Sequence, residues 1–598
     1  MTKYHDDGIE HLAKRYKSAG VDRRTFMKIA AGATAGTAVV AGVPRMVSAS
    51  PAVGPARRFQ AQADAEQVFY HGSLNDEPSS MDFNLNLYCN GVVELWAGLL
   101  SFDENLQPVG DWAETFTANE DASVWTFNIR PNNTGWTNGD PVTAQDFVWS
   151  WERQLNPANG AAYAGFLFDI KNAEAYNTPG AGEGTPEAAP TLTIDDLGMK
   201  ALDDWTLEVT MEGPRGYFPA VVAYTAAVPA HRPSVEEFGD QWALGLDVAL
   251  VSNGAFKLDN WEHQVKIEMS KNPGYWNAEA IAIDRAVVPL IPSSNDVNAY
   301  EAGDGDQQQD WSVIGATDLT RFQEDAELAT QLHPYVYPGI WMLISSNAIP
   351  PFDDLNVRLA LTHALDRERL VSLTNELVSP AYCMVPPGVF GFLDDPAFEE
   401  NLAFDPAAAM ALLEGTDFAG GTNWPPITMY LRGSEENINS NLMAQDVASQ
   451  LKEVLGMDIV LEVIPENNWR PRLFENTFQL TWIRWWYDYP HPNNGYGDMF
   501  YSRKNSGKRQ AWSNEQFDDL VNEAKGVSDL EAQLEVYRQA ETIIQEDGGY
   551  IPVVYRQDQI AYKPWVTNVP VNQQGFWVPQ GNIFVNLLQY VSVEGRPE

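Results

Sequence analysis

WTNGDPVTAQDFVWSWERQLNP, residues 136–157, packs a turn, a helix start, three tryptophans and a stop into one short stretch. Asn138-Gly139 is a turn signal. Thr143 stands three residues before Asp146, a capping-box pattern with Asp in place of Glu. Phe147, Trp151 and Leu155 then recur at i, i+4, i+8, one face of a helix, and Asn156-Pro157 ends it. Just upstream, Val124–Arg130 alternates Trp125, Phe127 and Ile129 with polar residues, as a half-buried strand does. The stretch therefore predicts strand, turn, capped helix and stop, with tryptophans that pack rather than meet ligand.

Working outward, the same mixed grammar recurs. Strands are expected at Phe69–Gly72, Trp205–Met211, within Val251–Pro292, and at Asp458–Ile464, Phe478–Ile483 and Ile551–Tyr555. Helices are expected at Asn84–Leu100, Val357–Leu373, Ala407–Leu413, Leu442–Leu455, Asn514–Lys525 and Leu530–Glu546. Residues 177–190 read as a surface loop, and no internal repeat is visible. The fold class is mixed α/β. A chain of 598 residues is too long for one core and predicts two or three domains.

The chain carries 38 basic and 82 acidic residues, net −44, and such a field repels phosphate backbones and anionic lipid. Nucleic acid is therefore not an expected partner, whereas cationic ligands are favoured. The 20 Trp suit either a large aromatic core or a ring-lined cleft. Cys89 and Cys383 form no CxxC pair, so structural zinc is not indicated; one disulfide and two buried thiols both fit.

The N-terminus reads as an address. Arg23-Arg24 precedes a weakly hydrophobic run, Ile29–Val43, and the small residues Val47-Ser48-Ala49. At 1.5 Å per residue that run spans only ~22 Å, short of a ~30 Å bilayer core. Residues 1–49 thus resemble a twin-arginine signal peptide, and residues 50–66 a flexible leader. The mature protein is expected to be soluble, outside the cytoplasm and monomeric.

Catalytic signatures are sparse. No HExxH, GxSxG or GxxxxGK[ST] occurs. Asp304, Asp306 and Asp310 lack the Gly and Glu of an EF-hand and read as a solvated loop. No catalytic residue, metal or cofactor is assigned. A secreted hydrolase with spatially paired carboxylates stays open as a second class of function.

The stretch at 136–157 closely resembles a signature of the family 5 extracellular solute-binding proteins, the oligopeptide- and dipeptide-binding proteins of ABC importers. Other phrases follow in the family's order: Leu99–Asp103 (LLSFD), Pro108–Glu114, Ser252–Lys257 (SNGAFK), Lys271–Asn277 (KNPGYWN), Pro351–Leu370, Trp485–Asn493 (WWYDYPHPN) and Ile551–Val566. The resemblance implies a two-lobed clamp of the type II periplasmic-binding-protein class, in its large peptide-binding subclass. Lobe one would span 67–292, with an extra subdomain at about 106–210, plus a C-terminal return at 556–598; lobe two would span 293–555. Peptide would be captured in the interlobe cleft by hinge closure and delivered to membrane permease subunits.

Asp488 is the strongest candidate site residue. A carboxylate among Trp482, Trp485, Trp486, Tyr487 and Tyr489 needs a cationic or hydrogen-bonding partner, and a peptide's α-ammonium would serve. The matching family Asp does this. The alternative is an Asp satisfied by Arg484 or by its own turn. By resemblance, Trp485 and its neighbours Trp486 and Tyr487 lie on the strand whose main chain pairs with peptide. Trp469 and Tyr163 match cleft aromatics, and Tyr88 and Asn90 face ligand from lobe one. Trp482 and Asn476 stand where some relatives place basic residues for the peptide C-terminus, so Arg470, Arg472 or Arg484 would have to substitute. The nearest rival ligand is an oligosaccharide stacked on tryptophan.

Overall fold

The computed structural model describes residues 66–597 apart from 75–76, 87–91, 179–191, 246–249, 292–295, 303–307, 336, 434–439, 476, 503–511, 528 and 573–586, with main chain only at 296, 466, 467, 470, 474 and 530. Residues 1–65, where the signal peptide and nearly all of the leader are expected, Asp304, Asp306, Cys89 and nearly all of the 177–190 loop lie outside the described residues. No helix among the described residues is long and apolar enough to cross a membrane.

The opening stretch folds as its pattern dictates. Residues Ala144–Leu155 form a helix. Asp146 accepts hydrogen bonds from the Thr143 N–H (2.7 Å) and hydroxyl (2.9 Å), which fixes the helix start. Phe147, Trp151 and Leu155 are fully buried, and Trp136 nearly so. The helix packs on a four-stranded antiparallel sheet built from 113–118, 124–129, 206–210 and 199–203 in that spatial order.

Three further sheets of three or more strands, and two two-stranded ones, occur among the described residues. A four-stranded sheet places Val68–Tyr70 parallel to Arg285–Pro289, followed by Lys266–Lys271 and Phe256–Glu262. Its apolar face joins the helical subdomain in one large core running from Phe69 to Val288. A six-stranded sheet has the order 378–380, 550–556, 339–345, 480–486, 427–432, 459–464. Its parallel strands 427–432 and 459–464 are joined by the helix Ser440–Leu455, the crossover that parallel pairing demands. Strand 339–345 (GIWMLIS) is buried at every position, because both faces of this sheet are covered. Trp341 and Leu343 enter the second core; Ile340, Met342 and Ile344 enter the third.

The chain leaves the first sheet after Pro289, and Tyr300, Ile314, Leu319 and Phe322 lie in the second core. A three-stranded sheet pairs Trp311–Ile314 and Leu332–Tyr335 on either side of Asp558–Tyr562. Tyr335, Ile560 and Tyr562 pack into the first core, while Ile314 and Ala561 face the second. The chain enters the six-stranded sheet at Gly339 and leaves it after Arg556, through passages at 337–338 and 556–558. The two passages lie side by side, since Tyr335 stands opposite Asp558 and Ile340 opposite Tyr555.

Several local expectations are corrected. Over Asn84–Leu100 the described residues hold only a single 3₁₀ turn, Val93–Leu95, with a strand starting at Leu100. The helix expected at Val357–Leu373 is two helices, Leu355–His363 and Arg367–Leu373, because Asp366 caps a new start by accepting from the Arg369 N–H. Asp310 is not in a solvated loop. It is fully buried and accepts from the Tyr70 N–H (2.8 Å), the Trp565 indole (2.7 Å) and Arg596. Cys383 is a free, buried thiol beside the Tyr555 hydroxyl, and burial pushes its pKa up to about 12.

A second buried carboxylate, Asp111, accepts from the Tyr275 hydroxyl (2.8 Å) and the Trp276 indole (2.7 Å). Burial pushes its pKa up to about 6, against the lowering effect of those bonds and of Arg130. A carboxyl raised by folding adds stability while protonated and loses it as pH rises from its unfolded value through about 6. Wild-type protein should therefore lose on the order of 2–3 kcal/mol from this group between pH 4 and pH 7. Asp111→Asn, which mimics the protonated form, should flatten that part of the stability curve in urea titrations run across pH.

Candidate functional site

Strand Leu480–Trp486 lies inside the six-stranded sheet, paired with 339–345 along its full length. Strand 427–432 accompanies it only from Leu480 to Trp482. Alternation along the strand sends consecutive side chains to opposite faces. Trp485 packs against the third core and Trp486 against the second. Trp486 meets Trp341 edge-on (4.9 Å, 89°) and lies between the guanidiniums of Arg484 (5.5 Å) and Arg556 (5.1 Å). Its ring fills the space over Gly339, where a Cβ would come within 2.0 Å of it.

Beyond Trp486 the chain turns. The Tyr487 N–H donates to the Pro338 carbonyl (2.9 Å). One buried side chain then shapes the whole turn. Asn494 Oδ1 accepts from the Asp488 N–H (3.0 Å) and from the Trp485 indole (3.0 Å), while its amide donates to Asp498 Oδ2 (3.3 Å). His491 Nδ1 accepts from the Asn493 N–H (3.1 Å), and burial pushes the imidazole pKa down to about 3, so the ring is neutral.

The Asp488 carboxylate is half-buried, and its Oδ1 accepts from the hydroxyl of Tyr224 (3.3 Å), a residue of the first core. An aromatic wall surrounds this meeting. Tyr163 stacks on Phe166 (5.0 Å, 13°), Phe166 meets Tyr224 (5.2 Å) and Tyr489 (6.0 Å), and Tyr489 lies parallel to Tyr217 (6.5 Å, 4°). Tyr489 follows Asp488 in the chain yet packs in the first core. Its hydroxyl donates to Asp498 (2.6 Å), and Tyr217 donates to Asp169, which also takes Arg215 Nε (2.6 Å). The arrangement offers a cation a carboxylate walled by rings, with strand main chain close by.

The structure thus links Asp488 to Trp485 through Asn494 and to Tyr163 through Tyr224, while Arg484 and Trp486 lie on the other face of the strand, toward the second core. It withdraws two expected residues. Tyr487 is 1% exposed and spends its hydroxyl on the Met384 carbonyl (3.1 Å). Trp469 is 2% exposed and packs against Phe478 at 5.7 Å. Both are core residues because their strand or helix position points them into the third core. Tyr88 and Asn90 lie outside the described residues. Arg472 pairs with Glu462 (3.1 Å) beside Tyr430 and Phe478, and the Arg470 side chain lies outside the description. Tyr224, Phe166, Tyr217 and Asn494 were not anticipated. Tyr224 carried one usable signal: a single phenol in the small apolar run VVAYTAAVPA must find a partner if buried.

The model of the bacterial extracellular solute-binding proteins, family 5, matches residues 107–507. The chain belongs to that family. The periplasmic oligopeptide-binding protein OppA of Salmonella typhimurium is 31% identical over 480 residues, covering 79% of this chain and 84% of its own. The dipeptide-binding protein DppE of Bacillus subtilis is 30% identical over 507 residues, covering 83% and 88%. The solved OppA of Haemophilus influenzae in complex with RPPGFSPFR superposes with a TM-score of 0.69 at 25% identity, covering 89% of this chain and all of that one. The fold is accordingly the type II periplasmic-binding-protein fold of the large, peptide-binding kind.

Asn494 is the residue on which the turn depends. Asn494→Ala would strand two donors in a part-buried place, at about 1–3 kcal/mol. The expected outcome is a lower midpoint in denaturant unfolding, whereas substitution of exposed Asn468 should leave the midpoint unchanged.

Proposed function

We propose that the protein captures peptides outside the cytoplasm and hands them to the membrane subunits of an ABC importer, without chemical conversion of the ligand. One lobe would be built around the first core and the other around the second and third, with the three-stranded sheet, which packs against the first and second, and the neighbouring passages at 337–338 and 556–558 between them as the hinge. Export by the twin-arginine route is supported by Arg23-Arg24 and the weakly apolar run that follows them.

The observation that carries the reading is Asp488. A carboxylate set among rings, on a turn whose main chain a single asparagine holds, suits an ammonium group, which can give it a charge-assisted hydrogen bond. A neutral sugar has no charge to offer there, although the tryptophans would stack on it. The names of the relatives, oligopeptide- and dipeptide-binding, point the same way. Main-chain pairing along the Trp485 strand would hold peptides of varied sequence, because such bonds ignore side-chain identity.

Calorimetry with one peptide in free and N-acetylated form tests this directly. Asp488→Asn should weaken binding of the free peptide by ~2–5 kcal/mol, and acetylation should do the same to the wild type. Equal affinity for both forms would defeat the role given to Asp488. Native mass spectrometry of the purified protein separates ligand classes: a spread of peptide masses supports this reading, and hexose-spaced masses support the oligosaccharide.

A further inference from the structure

We infer that Tyr224 is a closure residue: its phenol, carried by one lobe, fastens onto the carboxylate that anchors ligand on the other. The inference rests on the proposed hinged lobes and the proposed anchoring role of Asp488.

Tyr224 lies between the short helix Phe218–Val222 and the turn Thr225–Ala227. It is 1% exposed. Its ring is fixed by Phe166 (5.2 Å, 72°) and Tyr163 (6.0 Å, 75°), both from the subdomain. Its backbone is fixed too. The Tyr224 carbonyl accepts from the Ala227 N–H (3.0 Å), and the Ala227 carbonyl accepts from the Trp151 indole (2.9 Å). The Ala230 N–H donates to the Ser150 hydroxyl (2.8 Å). The hydroxyl therefore emerges from a rigid surround at a set point.

Asp488 approaches from the far side, at the end of a strand in the six-stranded sheet, where Asn494 sets its main chain. Hinge motion at 337–338 and 556–558 changes the separation of these two frames. The 3.3 Å contact belongs to the arrangement with the frames together and breaks when they part. It occupies one lone-pair direction of Oδ1, and a carboxylate accepts several bonds at once. An ammonium on the same carboxylate is therefore compatible with the phenol. Its presence gives the carboxylate a second reason to sit in the closed cleft. Tyr224 does not read the ligand; it stabilises the closed form around whatever Asp488 holds.

The test uses the full mature chain. Tyr224→Phe keeps the ring packing and removes only the hydroxyl. It should weaken binding of free and acetylated peptides by one common factor, about three- to tenfold for a lost hydrogen bond, through faster dissociation. The ratio between the two peptides should not change. Without added peptide, small-angle X-ray scattering should show a larger radius of gyration for Tyr224→Phe than for wild type, and Asp488→Ala should show the same enlargement. In an Asp488→Ala background, Tyr224→Phe should have no further effect. A ring that merely packs would predict equal losses in both backgrounds, and that result would overturn the inference, as would an unchanged radius of gyration in both single variants. If wild type binds free and acetylated peptides alike, the anchoring role falls, while the scattering comparison still decides the closure contact by itself.

Discussion

A carboxylate on a turn between two cores is the constraint around which the molecule is arranged. Asp488 cannot be buried outright, because an ionised group taken from water without a charged partner costs several kcal/mol. Nor can it be left fully in solvent, where its pull on a cation is weak. The structure sets it between these limits. Aromatic rings lower the local polarity, a phenol reaches it from the opposite core, and Asn494 holds its main chain from behind. The neutral His491 beside the turn adds no competing positive charge, since burial keeps its proton off.

Such a site works only if the two cores can approach and part without losing register. The passages proposed as the hinge, 337–338 and 556–558, would meet that need, because antiparallel pairs of two different sheets, Tyr335 with Asp558 and Ile340 with Tyr555, flank them. Arg556 closes the end of this ribbon, ion-paired to Asp558 (2.7 Å) and stacked on Tyr337 (4.6 Å) and Trp486. Trp486 belongs to the strand that leads to Asp488. The hinge and the ligand strand therefore share one aromatic contact, so displacement at either is felt at the other. Buried Asp310 ties the C-terminal Arg596 to the Tyr70 strand.

What the sequence made legible was mostly local. The capped helix at 144–155, the helices at 406–413, 440–455 and 515–526, and the strand before Asp488 all follow from short-range spacing, capping and alternation. The phrase WWYDYPHPN marked the right turn, but adjacency could not say which rings face the cleft. Strand parity sends Tyr487 into the third core, and Tyr489, two residues on, joins the first. The boundary between the lobes was hard to read locally for a related reason. Residues 311–335 follow the first sheet in sequence, and only their pairing with 558–562, more than 200 residues later, shows where they belong. Asp310 looked solvated because its neighbours in the chain are acidic, whereas its partners are Tyr70, Trp565 and Arg596.

The dense instructions at 136–157 find their reason in the same geometry. A binding cleft that accepts many ligands gains nothing from fitting side chains closely, but it must still close to a defined end point. That end point needs at least one rigid surface. The helix 144–155 supplies it: Trp151 and Ser150 hold the 227–230 turn by their side chains, and that turn carries Tyr224. A helix that frayed or shifted by a fraction of a turn would move the phenol by more than the tolerance of a hydrogen bond, which weakens steeply with distance and angle. Turn, cap and stop together prevent that drift. In the proposed clamp, local specification far from the ligand would thus set where the lobes come to rest, and main-chain recognition by the other lobe would accommodate whatever the cleft encloses.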